Sequence, residues 1–106
     1  MKKGDIILVP FPFTDLKGFK KRPAVVLYND SFDVVVSFIT TNLVWNEKTD
    51  ILIKPNNTNR LKRTSLIRTN KLATIKNTII IGKIGELDRK TIDELNEKLI
   101  QIFELT

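Results

Sequence analysis

Arg22 follows two lysines and precedes a proline, Thr40 and Thr41 end an apolar run, and Arg68, Asn70 and Lys71 stand in a basic stretch. Any reaction built on them proceeds without cysteine or histidine, because the chain contains neither. That excludes a thiolate nucleophile and a disulfide framework. It also removes the commonest general acid–base group and the commonest metal ligand. What remains is Arg, Lys, Thr, Ser, Tyr, Asp, Glu and the backbone.

The net charge of +6 is unevenly placed. Residues 51–85 carry eight bases (Lys54, Arg60, Lys62, Arg63, Arg68, Lys71, Lys76 and Lys83) and no acid. Lys17, Lys20, Lys21 and Arg22 form a second basic cluster, while Glu86, Asp88, Asp93, Glu94, Glu97 and Glu104 gather towards the C-terminus. A polyanion partner and an ordinary solvated basic surface both fit this asymmetry. The apolar run Ile6 to Val9, interrupted by Pro10 and Pro12, is too short for a membrane span or a signal-peptide core. The expectation is a cytoplasmic protein with no membrane partner.

The elements that must position these side chains are mostly strands. Gly4–Pro10 and Arg22–Tyr28 read as strands, the first ended by proline and the second with Pro23 near its start, where a missing N–H is tolerated. Phe11 to Lys21 between them reads as a loop, and Asn29-Asp30-Ser31 as a turn. Asp33 to Thr40 is nearly continuous in apolar residues and so reads as a strand buried on much of both faces. Asp50–Ile53, Ser65–Arg68, Leu72–Ile75 and Thr78–Gly85 follow as short strands, with Thr69-Asn70-Lys71 separating two of them. Ile92, Leu95, Leu99, Ile102 and Phe103 share one helical face, which predicts a helix over about 89–104. Thr91 with Glu94 could form its capping box, and Asp88 is a rival N-cap. Many short strands with one terminal helix imply a single mostly β domain over 1–106, a small curled sheet or barrel closed by an amphipathic helix.

Gly4-Asp5-Ile6-Ile7, Arg22-Pro23-Ala24-Val25-Val26-Leu27, Phe38-Ile39-Thr40-Thr41, Ser65-Leu66-Ile67-Arg68, Leu72-Ala73-Thr74-Ile75 and Gly82-Lys83-Ile84-Gly85-Glu86-Leu87, in this order and before a C-terminal helix, resemble the MazF/PemK/Kid/CcdB superfamily of toxins. Pro10-Phe11-Pro12-Phe13-Thr14-Asp15 is similar to a PemK-like branch. The resemblance implies an SH3-like barrel with a helix, usually a homodimer. It implies the toxin of a type II toxin–antitoxin system, a sequence-specific endoribonuclease that cleaves single-stranded RNA without metal or other cofactor. Its partner would be an antitoxin whose acidic C-terminal segment occupies the RNA groove.

On that resemblance Arg22 and Thr40 are the catalytic pair. Attack by the 2′-OH gives a pentacoordinate phosphorane and then a 2′,3′-cyclic phosphate and a 5′-OH. Arg22 matches the family's catalytic arginine, and its planar guanidinium can hold two phosphate oxygens. Thr40 matches a threonine whose hydroxyl can donate to a phosphate oxygen or orient the 2′-OH. Thr41, its neighbour on the opposite face, joins Phe19, Lys20, Lys21, Arg68, Asn70 and Lys71 as candidate RNA-binding residues. Lys20, Lys21 and Lys71 would make phosphate contacts, and are also candidates for a lysine of lowered pKa.

Two departures bear on the mechanism. Asn70 stands at a position that is acidic in some members, and the segment before Arg22-Pro23 carries lysines where many relatives have an acid. Asp15, the nearby carboxylate, is either a base or a turn cap. Phe13, Phe19 and Trp45 fall in predicted loops, where rings stack on unpaired bases or fold back over the barrel. The second reading is preferred for Phe13 and Trp45. Two other functions remain open: a non-catalytic toxin relative that binds a protein such as DNA gyrase, and an SH3-like RNA-binding or peptide-binding module.

Overall fold

The computed structural model describes residues 1–11 and 20–106. Its strands are β1 (Asp5–Phe11), β2 (Lys20–Asn29), β3 (Asp33–Thr40), β4 (Asp50–Ile53), β5 (Ser65–Lys76) and β6 (Gly82–Glu86). A single 3-10 turn, Asn77–Ile79, precedes β6, and the helix α1 spans Arg89–Ile102. The six strands form one curled antiparallel sheet in the order β4-β5-β3-β2-β1-β6. The expectation of a mostly β, SH3-like fold with a C-terminal amphipathic helix is met.

Alternation along the strands builds two apolar layers. Ile6, Val25, Ile39, Ile51 and Ile67 face Leu87 and Leu95 on the helix side. Ile7, Val9, Ala24, Val26, Val34, Val36 and Ile75 pack on the other. Successive residues of a strand point to opposite faces, so β2 and β3 contribute to both layers. This is why DVVVSFIT carries so little polar sequence.

Local chemistry sets the corners. Asp30 turns β2 into β3 by accepting the N–H groups of Phe32 at 2.8 Å and Asp33 at 2.7 Å through one carboxylate oxygen. Asp88 caps α1 by accepting the N–H of Thr91 at 2.9 Å, so the rival cap prevails over the Thr91–Glu94 box. The helix ends at Ile102, two residues short of the sequence boundary, and Glu104 beyond it is left-handed at φ 53°. Gly85 lies so close to the loop before β5 that a Cβ there would overlap the carbonyl oxygen of Asn59.

The largest difference from the sequence reading lies in β5. Ser65–Arg68 and Leu72–Ile75 are two parts of one strand rather than two strands. Ser37 pairs with Leu72 and Phe38 with Arg68, so Thr69, Asn70 and Lys71 have no partners on β3. This irregularity is pinned on both sides, by the Ser37 hydroxyl donating to the Arg68 carbonyl at 2.8 Å and by the Thr69 hydroxyl donating to the Thr49 carbonyl. An odd number of extra residues reverses facing parity. Even-numbered Arg68 and odd-numbered Ala73 and Ile75 thereby share a face of the sheet, a switch that interrupts the strand period in sequence.

Candidate active site and nucleic-acid interface

Arg22, Thr40 and Arg68 reach one face of the sheet because of register. Phe38 is the partner of Ala24 on one side and of Arg68 on the other. Arg22 and Thr40 lie two residues from Ala24 and Phe38, on the same face. Pro23 restricts Arg22 to extended backbone while lying on the opposite face against Leu8.

These side chains line a groove of about 570 Å³ together with Asn70 and Lys71, with Phe11, Phe38 and Trp45 as its aromatic walls. The odd-length bulge of β5 is what turns Asn70 and Lys71 outward into it. Phe11 and Phe38 meet edge to face at 5.2 Å between centroids.

Arg22 is half-buried, and its Nε is buried with no hydrogen-bond partner among the described residues. Leaving such a donor unpaired costs about 1–3 kcal/mol, so the group is suited to an anion that enters the groove. Thr40 Oγ1 accepts the N–H of Asn42 at 3.1 Å. Its hydroxyl hydrogen is thus left to donate elsewhere.

Arg68 is differently placed. It is buried, donates from Nε to Asp50 at 3.1 Å and from Nη2 to Glu47 at 2.6 Å, and lies 5.2 Å from the centre of the Trp45 ring. Its charge is already committed to two carboxylates, so it lines the groove as a support more than as a free phosphate ligand.

The other candidates separate. Lys20 and Lys21 are exposed at the start of β2, paired with Phe11 and Pro10, and alternation puts only Lys20 on the face of Arg22. Thr41 is not in the Arg22 groove. It lines a second one, of about 470 Å³, on the opposite face beside Pro23, Arg60, Lys62 and Arg63. Phe19, with Phe13 and Asp15, lies outside the described residues. Trp45 corrects the reading that folded it back over the barrel: it is 54% exposed and stands in the groove. Glu47 and Asp50, which orient Arg68, were not singled out in sequence. A lone carboxylate eighteen residues before an arginine carries no local signal.

The family model that describes the PemK-like, MazF-like toxin of type II toxin–antitoxin systems matches residues 2–103. The chain belongs to this family. Among curated relatives, proteins named Endoribonuclease MazF6 of Mycobacterium tuberculosis and Endoribonuclease MazF2 of Mycobacterium bovis are each 24% identical over 92 residues, 81% of this chain and 81% of theirs. The fold is similar to that of a mycobacterial endoribonuclease solved in complex with its cognate antitoxin, with a TM-score of 0.78 at 17% identity over 100% of this chain and 97% of that one. It is also similar to the Mycobacterium tuberculosis toxin MazF-mt6, with a TM-score of 0.74 at 23% identity over 94% and 96%. At such identities the solved structures speak for the MazF-like architecture, and the groove described above is this toxin's own. Among the described residues no helix is long and apolar enough to cross a membrane.

Proposed function

We propose that this MazF-like toxin is a sequence-specific endoribonuclease that cuts single-stranded RNA without a metal ion, with Arg22 and Thr40 as its catalytic residues. The observation that carries the reading is their convergence in one aromatic and basic groove, with the buried Nε of Arg22 unpaired among the described residues. The catalogued relatives named endoribonucleases support it.

In this mechanism the 2′-oxygen attacks the adjacent phosphorus and the bond from phosphorus to the 5′-oxygen breaks. The products are a 2′,3′-cyclic phosphate and a 5′-hydroxyl. The proton of the 2′-OH passes to water and the 5′-oxygen takes one up, so the step is proton-neutral. Arg22 holds the non-bridging oxygens as their charge grows, which is the kind of preorganised stabilisation that dominates such barriers. Thr40, whose oxygen already accepts from Asn42, donates its hydroxyl hydrogen to the phosphate. Lys71 and Lys20 add sequence-independent attraction for the backbone.

The antitoxin partner competes for the same groove through an acidic segment, since RNA and such a segment answer the same cations. The toxin works as a homodimer, a reading supported by an apolar cleft lined by Leu27, Val35, Leu99, Ile100 and Phe103.

The test is cleavage of a long unstructured RNA in EDTA by the wild type, Arg22→Ala and Thr40→Ala. Discrete cuts with 5′-hydroxyl ends, present in EDTA and lost in both variants, are expected. Folded wild type that binds RNA without cutting it would make this an RNA-binding module instead.

A further inference from the structure

Trp45 is the only tryptophan of the chain, and it sits in a connecting segment with more than half its surface exposed. An exposed indole on a small domain calls for a reason, and the structure holds this one in place from three directions. Beneath it the guanidinium of Arg68 lies 5.2 Å from the ring centre. That guanidinium is immobilised in turn by Asp50 at 3.1 Å and Glu47 at 2.6 Å. The segment leading to Trp45 is tied by successive caps, Asn42 N–H to the Thr40 hydroxyl at 3.1 Å and Val44 N–H to the Asn42 side chain at 3.2 Å. The segment leaving it is closed by the Glu47 N–H donating to Asp50 at 2.8 Å and by Thr69 donating to the Thr49 carbonyl.

We infer that Trp45, stacked on the clamped Arg68, is a platform on which one unpaired base of the RNA lies while the neighbouring phosphate is held by Arg22 and Thr40. The inference rests on the ribonuclease reading and adds to it the residue that seats a base.

The position agrees with that role. Arg68 is the direct cross-strand partner of Phe38, and Thr40 lies two residues further along β3 on the same face. Two strand residues span about 7 Å, so ring and catalytic pair are near neighbours in the same groove. Arg68 lies over one face of the indole, while more than half of the residue's surface stays open in the groove, where a ligand can reach it. A flat, rigid, largely apolar ring suits a nucleobase, and stacking of this kind accepts any base because each has a π-face. Trp45 therefore sets where the strand sits and leaves the choice of sequence to other groups.

The chain's single tryptophan makes the test direct, because intrinsic emission reports on Trp45 alone. The probes are a 2′-O-methyl oligonucleotide pool of randomised sequence, which lacks the attacking hydroxyl, and the same backbone without bases. Binding is followed separately by the anisotropy of a terminal dye. The base-bearing pool should quench the tryptophan in step with binding. The abasic backbone should leave the emission unchanged and bind about tenfold more weakly. Trp45→Leu should weaken the base-bearing pool about tenfold without affecting the abasic backbone, and Trp45→Phe should restore most of the loss. Anisotropy that reports binding of the base-bearing pool with unchanged emission, or equal affinity of Trp45→Leu for it, would overturn the platform and leave the RNA reading standing. No binding of either probe by folded protein would overturn both.

Discussion

Arg68 and Asp50 are direct partners across β5 and β4, and the arginine Nε donates to the aspartate at 3.1 Å with both residues buried. The second carboxylate on Arg68, that of Glu47, is about half exposed. Burial decides which partner matters. Removing Asp50 leaves a buried guanidinium short of its enclosed counter-charge, which costs about 3–5 kcal/mol. Removing Glu47 lets water take its place and costs at most about 1 kcal/mol. Asp50→Ala should therefore lower the midpoint of thermal unfolding by more than about 10 °C, and Glu47→Ala by only a few degrees. Equal losses in calorimetry would contradict this division.

Arg22 should behave in the opposite way to Arg68. Its Nε has no partner among the described residues, so the folded chain gains little from keeping it. Arg22→Ala is expected to reduce RNA cleavage by about 10²–10³-fold, the usual effect of losing one donor to a developing oxyanion. Its thermal midpoint should stay close to wild type. A large fall in stability would mean that Arg22 holds the fold together, and its loss of activity would then say nothing about catalysis.

Thr40 and Thr41 provide a paired control. Adjacent in sequence, they line grooves on opposite faces of the sheet. Thr40→Val keeps the shape and removes the hydroxyl, and should slow cleavage at least about tenfold. Thr41→Val should cut the same RNA at the wild-type rate. Equal slowing in both would disconnect the activity from the groove that contains Arg22.

How much of this was legible in the sequence follows from the range of each interaction. β3 and β4 were readable to the residue, because a continuous apolar run and a short one bounded by polar residues are local patterns. The pair Arg22 and Thr40 came from residues matched to a family, and the register of β2 and β3 brings them to one groove. The continuity of β5 was not readable, since the three residues without partners break the period while the hydrogen bonds that hold them come from β3 and the segment before β4. The same limit hid Trp45. Its environment is an arginine 23 positions away, itself fixed by carboxylates at positions 47 and 50, and no spacing rule connects them.

Gly85 makes a steric prediction. Its Cα faces the backbone of Thr58 and Asn59, and the next residue, Glu86, donates its N–H to the Thr58 carbonyl at 3.0 Å. Asn59 is buried and ties its own loop through the N–H groups of Asn56 and Leu61, so the loop has little room to retreat. Gly85→Ala should cost about 1–3 kcal/mol by overpacking, read as a lower denaturant midpoint. An unchanged midpoint would show that the loop yields.

The cap of α1 gives the dependence on acid. Hydrogen bonds from the Thr91 side chain and backbone hold the Asp88 carboxyl below its ordinary range. A folded-state pKa below the unfolded one means that the stabilisation is fully present above the unfolded value, near 4, and is lost as the pH falls through the folded value. Asp88→Asn keeps a side-chain oxygen that caps equally well but cannot be protonated in this range. The variant should match wild type at pH 7 and lose less stability than wild type between pH 5 and the acid limit, whereas Asp88→Ala should be about 1 kcal/mol weaker at pH 7. Thermal midpoints of the three proteins across that range decide the matter, and parallel curves for wild type and Asp88→Asn would remove Asp88 from the acid response.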